Sequence, residues 1–197
     1  DKLRITHLGG GACSLARYCA DVYPNSRNTV VELDAKLAEY VREWFDIPKS
    51  PRVKIRVGDA GTVTRSFAPA SRDVVIRDVF AVDKTPAELT SVDFVRTVDH
   101  SLAPGGLYIL NCGDGPSLDG ARAEVAALFE VFEQVCLVAD AAMLKGRRRG
   151  NIIIAASHSP LPAAGSAEAA AISRTLMGGG VPAQYRDSAQ TRQFARL

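Results

Sequence analysis

Short apolar runs alternate with amphipathic segments along most of the chain. The runs are rich in Val, Ile and Leu, which is typical of strands in the interior of a sheet. Between them, apolar residues recur at spacings of three and four, as Leu15, Tyr18, Cys19 and Val22 do, which indicates helices with one buried face. The pattern predicts strands at 3–8, 29–33, 53–57, 73–78, 107–112, 134–139 and 151–156, and helices at 15–22, 35–45, 62–67, 91–102, 119–132 and 163–177.

This alternation predicts the α/β class: a Rossmann-like, mostly parallel sheet of seven strands with helices on both faces. The join at 146–150 is too short for a crossover helix, so only the strand at 151–156 is expected to run antiparallel to its neighbours. Pro104-Gly105-Gly106 is expected to form the turn before 107–112, and Asp34 to cap the second helix. We expect one domain over 1–158, then a helix and a loosely ordered tail over 159–197.

Charge and composition exclude several classes of function. The net charge is only +2, with acidic and basic residues interleaved, so no nucleic-acid partner is expected. Arg147, Arg148 and Arg149 form the one basic cluster, which we interpret as the solvated tip of a hairpin. No apolar run is long enough to span a membrane and no secretory leader is seen, so a cytoplasmic location is expected. The four cysteines and three histidines are scattered, which predicts no metal site.

The first predicted strand ends in three glycines, Gly9, Gly10 and Gly11, and a helix follows. Glycine lets a turn adopt positive φ and approach a ligand, while the N–H groups of the following helix point at whatever binds there. Glu32 ends the second strand 23 residues after Gly9, where an acid can accept hydrogen bonds from both ribose hydroxyls. The two features together predict a nucleotide-type pocket.

Asp59 and Asp78 stand at the carboxyl ends of the third and fourth predicted strands. Ligands of open α/β sheets bind at these ends, where the strand order reverses. A nicotinamide cofactor requires only the glycine turn and the acid of the second strand. The acids after the third and fourth strands could accept a hydrogen bond from the amine of an adenosine and stabilise a cation next to it. The pattern therefore favours S-adenosyl chemistry over hydride transfer.

Five segments resemble the class I S-adenosylmethionine-binding fold, and more narrowly the spermidine synthase (polyamine aminopropyltransferase) family: 5–13, 30–34, 57–60, 75–78 and 102–110. The resemblance rests on the triple glycine, the Val-Val-Glu-Leu-Asp strand, the Val-Gly-Asp-Ala step and the Thr-Pro-x-x-Leu-Thr-Ser-x-Asp-Phe-Val segment, and it covers about residues 1–158. It implies transfer of an aminopropyl group from decarboxylated S-adenosylmethionine to a diamine such as putrescine. The donor is then a co-substrate, and no permanently bound cofactor is implied.

The resemblance also implies roles for individual residues. Asp78, the first acid of the family's Asp-x-x-Asp-Pro loop, would orient and deprotonate the attacking amine, and Asp83 would help to bind it. A homodimer is implied as well, because family members often pair through their catalytic domains. The donor-binding residues would be Gly9, Gly10 and Gly11 for the methionine-derived arm, Glu32 for the ribose and Asp59 for the adenine amine, with Leu33 and Ala60 beside them.

Departures from the family pattern leave other functions open. Ala12 stands where the family has an acid that binds the aminopropyl amine, and Ala81 stands where the loop has its second acid. The family's small N-terminal β-domain has no counterpart here, and the first residue is not methionine, as expected of a fragment of a longer protein. The alternatives are an S-adenosylmethionine-dependent methyltransferase acting on a small molecule and a non-catalytic nucleotide-binding or interaction domain.

Overall fold

The computed structural model describes residues 2–197. The strands are β1 Arg4–Leu8, β2 Arg27–Glu32, β3 Val53–Val57, β4 Arg72–Arg77, β5 Leu102–Asp114, β6 Gln134–Ala139, β7 Gly150–Ser157 and β8 Gln184–Arg186. The helices are α1 Ser14–Val22, α2 Ala35–Trp44, α3 Ala60–Arg65, α4 Val92–Ser101, α5 Asp119–Phe129, α6 Ala141–Leu144, α7 Ala167–Met177 and α8 Ser188–Ala195, with a 3₁₀ turn at Ala87–Leu89. The residues form two compact units, one spanning the chain up to Phe80 with Arg96–Tyr108, the other Ala81–Val95 with Ile109–Leu197.

The predicted α/β class and mostly parallel sheet are confirmed. The strands are hydrogen-bonded in the order β3-β2-β1-β4-β5-β7-β6-β8, so there are eight strands where seven were expected. In the first unit β1 pairs in parallel with β2, Leu8 lying opposite Val31, and with β4, Leu8 lying opposite Arg77. The strand order reverses between β1 and β4. The carboxyl ends of these two strands are therefore where a sheet of this kind binds its ligand.

An apolar cluster between helices and sheet explains why the amphipathic segments of the first unit fold as predicted. The buried members of the cluster, from α1, α2, β2, β3 and the adjoining turns, are Cys13, Ala16, Ala20, Val30, Val41, Ile47 and Val53.

Asp34 caps α2 as expected, because its carboxylate accepts hydrogen bonds from the backbone N–H groups of Lys36 at 2.8 Å and Leu37 at 3.1 Å.

The carboxyl-terminal strands of the second unit run antiparallel. β6 pairs with β7 in that sense, Val135 lying opposite Ala156, as predicted for 151–156, but the prediction that no other pairing is antiparallel is wrong, because β8 also pairs antiparallel with β6. The expectation of a loosely ordered tail is wrong, because β8 pairs antiparallel with β6 and α8 follows it. The missed signal is a capping box: Asp187 accepts from the Gln190 N–H at 2.9 Å, and the Gln190 side chain accepts from the Asp187 N–H at 3.2 Å.

Two connections also differ from expectation. β5 begins at Leu102, so Pro104-Gly105-Gly106 lies within the strand segment instead of forming the turn before it. Gly105 has a φ of +77°, a conformation that glycine adopts without strain. The join between β6 and β7 contains the short helix α6, which Asp140 caps by accepting from the Ala142 and Met143 N–H groups.

No helix in residues 2–197 has the length and apolar character needed to cross a membrane. No group of three or more His, Cys, Asp and Glu side chains among these residues could hold a metal ion. All four cysteines are buried and free: Cys13, Cys19, Cys112 and Cys136.

A buried polar network joins β1 to β2. His7 is only 4% exposed, and its Nε2 lies 2.9 Å from Asn28 Oδ1. Asn28 donates through Nδ2 to Ser26 Oγ at 2.9 Å and to the Arg52 carbonyl at 3.2 Å, so its Oδ1 accepts and His7 Nε2 carries the proton. The other ring nitrogen, Nδ1, is buried without a hydrogen-bond partner in residues 2–197. Burial lowers the pKa of His7, which keeps the ring neutral at pH 7.

We expect mild acid to destabilise the protein through His7. The folded-state pKa of His7 lies below its unfolded value, so the stabilisation is present above pH 6.5 and is lost as the pH falls, at up to about 1.4 kcal/mol per pH unit. Denaturant unfolding at pH 7.5 and 5.0 measures this loss. His7→Gln keeps a donor for Asn28 but does not titrate, so its loss should be smaller; an equal loss in both proteins would assign the effect to other groups.

Candidate active site

The turn after β1 brings two backbone segments of the first unit into direct contact. Gly9 has a φ of +88°, and its N–H donates to the Val31 carbonyl at 3.0 Å. Asp78 follows β4 directly and donates its N–H to the Leu8 carbonyl at 2.8 Å. A Cβ atom on residue 9 would lie 2.1 Å from the Asp78 carbonyl oxygen, far inside van der Waals contact. Only glycine at position 9 lets the strand end of Asp78 lie this close to the turn.

A cavity of about 280 Å³ lies at this junction, where the strand order reverses. It is lined by the end of β1, the glycine turn, the start of α1 and Asp78, whose side chain is exposed. Among the described residues that line it, Asp78 is the only acid. Gly9, Gly10, Gly11 and Asp78 thus share one cavity, which is the arrangement that their predicted roles require. The roles themselves stay predictions.

The Glu32 carboxylate is bound to backbone N–H groups of two turns. Its Oε2 accepts from Gly10 at 3.1 Å and Gly11 at 2.9 Å, and its Oε1 accepts from Asp34 at 2.9 Å. A Cβ on residue 10 would meet Val30 Cγ1 at 2.7 Å, so a larger residue there would force the Val30 side chain to shift. Each carboxylate oxygen can accept more than one hydrogen bond, so the predicted ribose contact is compatible with these bonds. The bonds of Glu32 to Gly10 and Gly11 also hold the glycine turn in place, a role that the sequence did not indicate.

Asp59, Ala60 and Leu33 lie at the neighbouring strand ends but do not line the cavity. Asp59 caps α3 by accepting from the Thr62 N–H at 2.7 Å, and this bond holds the pKa of Asp59 below its usual range. It is therefore ionised at neutral pH and can accept from an adenine amine. Ala60 is buried, whereas Leu33 is 72% exposed and Val57, opposite Glu32 in the β2–β3 register, is 51% exposed. Exposed apolar side chains at adjacent strand ends suit a planar nucleobase.

Asp83 lies in the second unit and forms a contact that the sequence did not predict. Arg149 donates through Nη2 to both the Asp83 carbonyl and its Oδ2, each at 2.9 Å. Arg148 pairs with Asp140 at 2.7 Å. All three arginines are exposed, as the interpretation of the basic cluster as a solvated hairpin tip predicts, and Arg148 and Arg149 in addition form ion pairs with acids brought close by the fold.

Sequence reasoning missed three residues of these regions. His7 lines the cavity and is buried, and its polar side chain in a strand predicted to lie in the interior of the sheet was the available signal. Cys13 precedes α1 in the left-handed conformation, with a φ of +56°, which no sequence pattern announces for a non-glycine residue. Arg149 reaches an acid 66 positions away, a separation beyond any local pattern.

The chain is similar in sequence and in backbone structure to a solved protein over nearly its whole length. The crystal structure of a probable spermidine synthase from Corynebacterium glutamicum is 62% identical to this chain, with a TM-score of 0.96. The match covers 98% of this chain and 70% of that one. No family model matches the chain.

Curated relatives include both methyltransferases and aminopropyltransferases. The eEF1A lysine and N-terminal methyltransferase of Mus musculus is 32% identical over 141 residues, which is 66% of this chain and 20% of that protein. The probable polyamine aminopropyl transferase of Bifidobacterium longum is 28% identical over 130 residues, 62% of this chain and 28% of that protein. The chain thus spans about a fifth to a quarter of the length of these two relatives.

The glycine turn offers a matched pair of substitutions. Gly9→Ala combines positive φ with a clash against the Asp78 carbonyl and should lower the free energy of unfolding by roughly 3–5 kcal/mol. Gly11→Ala meets open space at a φ of +46° and should cost only about 1–2 kcal/mol of strain. Denaturant titration of both variants measures the difference. Equal losses would mean that the Gly9–Asp78 contact is not what constrains the turn.

A second substitution separates the two roles of Glu32. Glu32→Ala should weaken binding of an adenosine-containing donor by about 1.5–3 kcal/mol, and Glu32→Gln by less because it keeps one acceptor. Both should also loosen the glycine turn, seen as faster amide exchange at Gly10 and Gly11. Glu39→Gln removes the same charge on the exposed face of α2 and serves as the control. If calorimetry finds parental donor affinity in Glu32→Ala, the ribose is bound elsewhere.

Proposed function

The chain belongs to the spermidine synthase family, and we propose that it forms the donor-binding catalytic unit of a polyamine aminopropyltransferase. The reaction moves an aminopropyl group from decarboxylated S-adenosylmethionine to an amine, with putrescine the expected acceptor. The observation that supports it most is the shared cavity of the glycine turn and Asp78 at the reversal of strand order.

Donor binding follows from the strand ends of the first unit. In the proposal, the ribose hydroxyls donate to Glu32, the adenine amine donates to ionised Asp59, and the base packs beside exposed Leu33. The arm that bears the sulfonium enters the cavity along Gly9, Gly10 and Gly11. The sulfonium of the donor and the ammonium of the acceptor are both cations, and the carboxylates at the strand ends stabilise them.

Asp78 supplies the base. The amine nitrogen attacks the aminopropyl carbon attached to sulfur, the C–S bond breaks with its electrons passing to sulfur, and 5′-methylthioadenosine leaves as a neutral thioether. The attacking nitrogen must be neutral to react, so a carboxylate that takes its proton lowers the barrier. Asp78 is the acid beside the donor cavity, and this position supports its assignment.

A methyltransferase is the second candidate, supported by Ala12 and by the curated methyltransferase relatives. Without an acid at position 12, the turn lacks the group that holds the aminopropyl amine in the family pattern. S-adenosylmethionine has a full methionine arm, which carries a carboxylate. If this carboxylate lies near position 12, no negatively charged side chain at that position repels it. The glycine turn and Glu32 serve either donor.

Comparison of donor affinities tests the proposal. Calorimetry should find tighter binding of decarboxylated S-adenosylmethionine than of S-adenosylmethionine. The reverse order would favour the methyltransferase, and no binding of either donor would indicate a non-catalytic domain. The measurement compares binding alone and needs no turnover.

Turnover tests Asp78. Asp78→Asn keeps the size of the side chain but removes the base, so turnover should fall by on the order of 10²- to 10⁴-fold while donor affinity changes little. The assay uses putrescine and other diamines on the longest form of the protein. Full activity would refute the general-base role, and an equal loss of donor affinity would make Asp78 a donor-binding residue instead.

A further inference from the structure

The second unit contains a cavity of about 610 Å³ that is bounded by α7, β8 and α8. Every described residue that lines it belongs to this unit. Its volume lies within the range of sites that hold small organic ligands, about 300–1,000 Å³. None of these lining residues has a role in the proposed function, so a ligand of this cavity would be a further one.

The cavity has the charge of an anion site. Arg186 is the only charged residue among the described ones that line it, and its side chain is half-buried. The Arg186 guanidinium lies 5.9 Å from the centre of the Phe194 ring and forms no ion pair or hydrogen bond within residues 2–197. The adjacent acid, Asp187, directs its carboxylate to the backbone N–H groups of Gln190 at 2.9 Å and Ala164 at 2.8 Å. Arg186 is therefore a cation whose partner is an aromatic ring and not a carboxylate.

Neutral hydrogen-bonding side chains line the same cavity. Those of Ser173, Gln184 and Gln193 form no hydrogen bond within the described part of the chain. Gln190 uses its Oε1 in the capping box with Asp187, so its Nε2 amide group is available to donate. Amide and hydroxyl donors beside an arginine are the groups that bind the oxygens of a carboxylate.

The rest of the cavity wall is apolar. It is formed by Tyr185, Phe194 and the side chain of Met177, which is 60% exposed. The Tyr185 hydroxyl donates to the Pro162 carbonyl at 2.7 Å, and burial raises the pKa of Tyr185, so this side chain offers a neutral aromatic surface. Aromatic and thioether side chains pack well against a flat ring.

We propose that this cavity binds a small organic carboxylate with a flat apolar body. The carboxylate pairs with Arg186 and accepts from the amides, while the body packs against Tyr185 and Phe194. The donor and the acceptor of the proposed function are both cations, and no acid among the described lining residues attracts them. The inference therefore concerns a different ligand and does not rest on the proposed function.

Three probes of nearly the same shape and different charge test this site: benzoate, benzamide and benzamidine. In an NMR titration at pH 7, benzoate should shift the signals of Gln184 and Gln193. It should bind about three- to ten-fold more tightly than neutral benzamide, because its ion pair with Arg186 is partly exposed to water. Cationic benzamidine should bind more weakly than either. Equal affinities of benzoate and benzamide, or no shift of these signals, would overturn the proposal.

Substitutions assign the charge preference to the cavity. Arg186→Gln should reduce the affinity for benzoate to that for benzamide. Arg174→Gln removes the same charge from the exposed surface of α7, outside the cavity lining, and is the matched control. Gln193→Glu adds an acid at an exposed position of α8 and should abolish the preference for benzoate over benzamidine. An equal loss of benzoate affinity in both arginine variants, or a preference that survives Gln193→Glu, would contradict the assignment.

Discussion

The contact between the Gly9 and Asp78 main chains is the constraint on which the site depends. It exists because β1 and β4 are parallel neighbours and the Asp78 N–H bonds to the Leu8 carbonyl, which brings the following turn against the strand end. No side chain fits between the two segments. The proposed base and the proposed donor turn are therefore positioned by backbone hydrogen bonds, which are less variable than side-chain rotamers.

Glu32 extends the same arrangement to the second strand. Its two oxygens bind N–H groups of the glycine turn and of the turn before α2, so one carboxylate sets the relative positions of both. The hydroxyls of a ribose bound there would donate to a carboxylate that is already oriented. Pre-orientation of this kind lowers the entropy that a ligand loses on binding.

The fold was predictable where local patterns determine it. Apolar runs and helical spacing identify β1 to β4 and their helices, and the glycines and strand-end acids identify the donor region. The bonds of Glu32 to Gly10 and Gly11 and the pair of Asp83 with Arg149 could not be predicted, because they join positions 21 to 66 residues apart. The strand β8 was missed because three residues are too few to produce a periodic pattern.

That short strand has a consequence for the solution behaviour of the chain. β8 covers Leu137, Val138 and Ala139 of β6, a strongly apolar strand that would otherwise be the edge of the sheet. An uncovered apolar edge pairs readily with the edges of other molecules. Proteolysis or truncation before Gln184 would thus expose β6 as an apolar edge and favour self-association through it, even though no residue of the candidate active site would be removed.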